Sequence, residues 1–101
     1  MRKYSLRTPE QVSVDLAGRI RDLRLARGWR QVTLAERAGV SLGSLRRFES
    51  SGKTSLQNLL KLAFAIGRLD DFDATLKPPL AASMAELEAT EEKPRRQRGR
   101  V

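Results

Sequence analysis

Apolar residues recur at three- and four-residue spacing over the first two thirds of the chain, and glycines divide them into short runs. This spacing places apolar groups on one face of a helix, so the pattern predicts a succession of short amphipathic helices. Thr8-Pro9-Glu10-Gln11 reads as a helix start. Thr8 suits the N-cap, Pro9 the first helical position, and Gln11 completes a capping box. Leu16, Ile20, Leu23 and Arg27 continue the period to Gly28, so a first helix is expected over about 9–27. A second, over about 31–38, has Leu34, Ala35 and Ala38 on its inner face and stops at Gly39. Ser41 is a good N-cap for a third, over about 42–50, with Leu45 and Phe48 facing inward. Ser55 suits the cap of a strongly apolar fourth, over 56–66, which Gly67 ends. Leu69–Leu76 reads as a short fifth helix with Leu69, Phe72 and Leu76 on one stripe, closed by Pro78-Pro79. The fold class expected is therefore all-α: a compact bundle of about five short helices with a C-terminal extension.

The extension begins with a second capping box, Ser83-Met84-Ala85-Glu86, which opens a marginal helix to about Glu92. The division expected is a folded domain over 1–78 with an N-terminal arm at 1–7, an acidic linker or short helix over 79–92, and a disordered basic tail over 93–101.

Charge sharpens this picture. The chain of 101 residues carries a net +8. Residues 1–68 hold 14 basic and 5 acidic side chains, 69–92 hold 1 and 7, and 93–101 hold 5 and none. A basic body favours a polyanion partner, because neutralised phosphates release condensed counterions. The acidic block would be repelled by that partner and should face away. There is no cysteine and no histidine. Disulfides, thiolate catalysis, the commonest metal ligand and the commonest general base are thereby excluded. Asp70, Asp71 and Asp73 lie close together, but without histidine or a phosphate-binding loop they read as charges at a helix N-terminus. No catalytic residue, metal site or cofactor is expected, and no apolar run is long enough for a membrane span; the location expected for so basic a body is cytoplasmic and nucleoid-associated.

Residues 31–50 are the most informative. Two helices joined by a tight turn need a small residue where they approach, here Ala35, and one tolerant of positive φ at the turn, here Gly39. Leu34, Ala38, Val40, Leu45 and Phe48 are spaced to fill the wedge between them. This is the spacing of a helix-turn-helix. The stretch from Arg30 to Glu49 resembles the Xre-type, or lambda-repressor-like, family, and the resemblance extends over about residues 14–68.

The resemblance implies double-stranded DNA as partner, with the third helix in the major groove. Its outward residues would be Ser41, Leu42, Gly43, Ser44, Arg46 and Arg47. Arg46 or Arg47 would read guanine, Leu42 a thymine methyl, and Ser41 and Ser44 a base edge or a phosphate. Gly43 stands where these repressors usually have a polar residue. It either permits close approach or contributes nothing. Gln31 would hold a backbone phosphate, with Arg30 and Lys53 as neighbours. Arg24 and Glu49 match an ion pair that is structural in the family, and Ala35, Gly39 and Leu45 are structural too. Trp29 is expected to pack over the end of the core rather than stack on a base. Tyr4 lies in the basic arm.

A narrower likeness runs through Ser44-Leu45-Arg46-Arg47-Phe48-Glu49, Gly52, and Ser55 to Ala63. These residues are similar to HipB-like antitoxins, dimers that repress their own promoter and bind a HipA-type kinase toxin. Phe64, Leu69, Phe72 and Leu76 are the candidate dimer interface, with an ordinary core role as the alternative. Three functional readings therefore compete: a homodimeric autorepressor of the antitoxin type on a palindromic operator, a stand-alone repressor without a toxin, and a non-specific nucleic-acid-coating protein.

Overall fold

Thr8 begins the first helix by accepting the Gln11 backbone N–H at 3.1 Å, while the Gln11 side chain accepts the Thr8 N–H at 2.9 Å. This reciprocal box opens α1, Pro9–Ala26. The computed structural model describes residues 7–80 together with 87 and 88. After α1 come α2 (Gln31–Ala38), α3 (Leu42–Ser51) and α4 (Leu56–Ala65), with one 3-10 turn at Leu69–Phe72. The described residues contain no strand. The all-helical fold expected from the pattern is thus present, and each α-helix ends within one residue of its expected bounds. The arm residues 1–6, the second capping box and the basic tail lie outside the described residues.

The chain forms two units, Met1–Asp70 and Asp71–Val101. In the first, α1 packs on α3, and α2 packs on both α3 and α4. Leu34, Leu45, Phe48, Leu62 and Ile66 are fully buried between them. Removing side chains of this size from water contributes about 1.5–3 kcal/mol each. Ala17, Ile20, Ala35 and Val40 complete the core. The small Ala35 lets α2 and α3 approach. Gly39 makes the sharp turn between them at φ 72°, and the Val40 N–H returns to the Ala35 carbonyl at 3.0 Å. Ser41 then caps α3, and Ser55 caps α4, each accepting a backbone N–H three residues on at 3.0 Å.

The fifth helix expected over 69–76 does not form. Only one 3-10 turn is present, followed by turn residues 73–76. Three aspartates in four positions compete with helical hydrogen bonding, and Pro78 disfavours helix at the residue before it. Leu76 adopts a left-handed φ of 64° and is fully exposed. The stripe expected to align Leu69, Phe72 and Leu76 is therefore absent. In the second unit, the Thr75 N–H donates to the Phe72 carbonyl, and Lys77 pairs with Asp73 at 3.7 Å on the surface.

Candidate nucleic-acid interface

The packing of α3 decides which of its side chains remain available. Leu45 and Phe48 anchor one face in the core. Arg46 and Arg47 are exposed, and among the described residues neither guanidinium has a hydrogen-bond or ionic partner. The hydroxyl of Ser41 accepts the Ser44 N–H and donates to the Ser44 hydroxyl at 2.8 Å, which joins two of the residues expected to face DNA. Leu42 departs from expectation. It is half-buried and packs against the core instead of projecting freely. Gly43 is exposed.

Beside Arg47 lies an open polar cleft of about 330 Å³, lined by Ser44, Arg47, Lys53, Thr54, Ser55 and Asn58. Two cations and the start of α4 converge there. The unpaired N–H groups of a helix start carry partial positive charge, so such a cleft favours an anion. The start of α2 is also open. Arg30 occupies its N-cap position without a side-chain cap, whereas α1, α3 and α4 are each capped by a side chain. Arg30 and Lys53 are both exposed.

A buried polar network fixes α3 from behind. Arg24, on α1, donates from Nε and Nη2 to the two carboxylate oxygens of Glu49, each at 2.9 Å. Its Nη1 donates to the Trp29 carbonyl at 2.8 Å. The Arg24 and Glu49 side chains are only 8% and 4% exposed. Gln31 joins them by donating from Nε2 to Glu49 Oε1 at 2.9 Å. One amide N–H of Gln31 is thus spent inside the protein, which leaves the other for an outside acceptor. Trp29 is half-buried against the core, with the guanidinium of Arg37 4.5 Å and that of Arg27 5.5 Å from its ring centroid. Both cations are placed to interact with the ring face.

The residues expected at a dimer interface differ in exposure. In the first unit Phe64 is 70% exposed and Leu69 38%. In the second, Phe72 is half-buried and Leu76 exposed.

Three features escaped sequence reasoning. Gln31 serves the Arg24–Glu49 pair by donating to Glu49. Arg27 donates to the Ile66 carbonyl at 2.7 Å, joining the end of α1 to the end of α4. Gly52, buried at φ 80°, lies directly on the α1 backbone. Its position after Ser50-Ser51 marked a helix end and nothing more. The close approach depends on a residue 39 positions away, for which the local pattern carries no signal.

Residues 20–70 match the family model described as helix-turn-helix, HTH_3. That span is half of the chain and contains α2, the turn, α3 and α4. The protein belongs to this helix-turn-helix family of DNA-binding transcriptional regulators. No curated protein and no solved structure matches the chain. No helix among the described residues is long and apolar enough to cross a membrane.

Proposed function

We propose that this protein is a sequence-specific repressor that binds a palindromic operator as a homodimer in the cytoplasm. The observation that carries the reading is the pair of exposed guanidinium groups of Arg46 and Arg47, unpartnered among the described residues, on a helix anchored from behind by Leu45 and Phe48. Arginine matches the O6 and N7 acceptors of guanine in the major groove. Ser41 and Ser44 border that face, and Leu42 offers its exposed edge to a thymine methyl. Gln31, Arg30 and Lys53 hold phosphates, supported by the uncapped start of α2 and the cationic cleft beside Arg47. Two such units on one two-fold axis would present their α3 helices about 34 Å apart, one turn of DNA. The exposed Phe64 supplies apolar surface for that association.

The test is binding to DNA from immediately upstream of the protein's own gene, beside a scrambled duplex of equal length, at physiological salt. A preference of about a thousandfold or more is expected. Equal, weak binding that falls steeply with salt would replace this reading with non-specific coating.

The antitoxin reading rests on a separate observation, the likeness of Ser44–Glu49, Gly52 and Ser55–Ala63 to HipB-like proteins. It is tested by co-expressing the product of the adjacent reading frame. A kinase that copurifies stoichiometrically supports it. A neighbour that is no kinase, or one that does not bind, leaves the stand-alone repressor.

A further inference from the structure

Gly43 occupies the first turn of α3, is exposed, and has a φ outside the left-handed region. A Cβ built on it meets nothing within 4 Å. Neither of the usual reasons for a helical glycine, a left-handed backbone or close packing, operates among the described residues. Glycine is nonetheless the poorest helix former after proline. The chain thus accepts a stability loss at Gly43 that no contact among the described residues offsets. Gly18, in α1, has equally open surroundings. What separates the two is placement. Gly43 stands three and four residues before Arg46 and Arg47, and residues at those spacings share one helix face. A ligand held by both arginines must therefore pass over Gly43.

We propose that Gly43 is the point of closest approach between α3 and a bound duplex, and that the missing side chain sets how deeply the helix enters the groove. This inference rests on the DNA-binding reading above. A methyl group at this position would hold the helix off by about 1.5 Å. Arginine–guanine hydrogen bonds near 2.9 Å would then exceed the distance at which such bonds exist. Specificity would suffer more than general affinity, because non-specific complexes draw mainly on phosphate contacts.

The experiment uses the full chain and a duplex enriched by the wild type from a random-sequence pool, with a scrambled duplex beside it. Gly43→Ala is expected to shift the folding equilibrium toward the native state about fivefold. It is expected to lower affinity for the enriched duplex at least about tenfold, with the scrambled duplex changed less than about twofold. Gly43→Ser should lose affinity in the same way. Gly18→Ala should be stabilised similarly and keep wild-type binding to both duplexes. Wild-type affinity in Gly43→Ala overturns the inference and leaves the DNA-binding reading intact. Destabilisation by Gly43→Ala also overturns it, by revealing a role inside the fold, as does an equal loss of affinity in Gly18→Ala. If the wild type enriches no duplex, the DNA-binding reading falls and this inference falls with it.

Discussion

The backbone of Gly52 rests on the backbone of Ser13. A Cβ added at 52 would stand 2.9 Å from the Ser13 carbonyl carbon and 3.1 Å from its oxygen. Backbone cannot swing aside as a side chain can, so this contact fixes how closely the end of α3 meets α1. Gly39 also has a positive φ, but a Cβ there meets nothing. The two glycines should therefore respond differently to alanine. Gly39→Ala is expected to cost about 1–2 kcal/mol, the left-handed backbone penalty alone. Gly52→Ala adds overpacking to that penalty and should cost about 3 kcal/mol or more. Urea denaturation of both variants decides the matter, and equal losses would contradict the backbone contact.

Removing one member of the Arg24–Glu49 pair strands a buried charge. Arg24→Ala or Glu49→Ala should each cost about 3–5 kcal/mol. The double variant Arg24→Met, Glu49→Leu should lose less than the sum of the two single changes to the same residues, by at least about 1 kcal/mol. Strict additivity in that cycle would mean that the pair carries no coupling.

The arginines of α3 and the cations beside it should separate in their effects on DNA. Arg46→Ala and Arg47→Ala are each expected to reduce discrimination at one base position by about 1–3 kcal/mol. Lys53→Ala should weaken binding evenly across sequences and lower the salt slope by about one. Binding isotherms on cognate and scrambled duplexes at several salt concentrations measure both quantities. A sequence-selective loss in Lys53→Ala would remove it from the phosphate set.

Gln31→Ala should act on two levels. Loss of its bond to Glu49 is expected to lower stability by about 1 kcal/mol. Loss of a phosphate contact should also weaken DNA binding evenly. Thermal denaturation and binding to the two duplexes, run on the same sample, separate the effects. Unchanged stability would show that the contact with Glu49 contributes nothing.

Phe64 tests association. It is so exposed that Phe64→Ala should change the stability of one chain by less than about 1 kcal/mol. If it sits in the two-fold interface, sedimentation equilibrium should show dimer dissociation raised by about tenfold or more. An unchanged association constant would place the interface elsewhere.

The local rules of the sequence were enough for most of the fold. Thr8 with Gln11, Ser41 and Ser55 act within three residues of themselves, and Gly39 within one turn, so their roles can be read from the chain directly. Leu34, Leu45, Phe48 and Leu62 follow from period alone. The failures share a different physics. Leu69–Leu76 keeps a helical period, but its aspartates and the following prolines outweigh it over so short a span. Leu42 looks outward on a helical wheel, yet it is half-buried against the core. The contact of Gly52 with Ser13, and that of Arg27 with Ile66, each join residues 39 apart, and no window of neighbouring residues encodes such a distance.

Arg24 and Glu49 belong to different helices, and their joint has a consequence for how binding preferences can change. A helix fastened through its own carboxylate to a buried arginine is not an interchangeable cassette. Residues 41–50 grafted into another scaffold would carry Glu49 with them and would need an arginine waiting at the matching place. Substitutions confined to 46 and 47 leave that fastening untouched. On the proposed reading, new operator preferences can therefore accumulate at those two exposed positions, one substitution at a time, while the protein stays folded throughout.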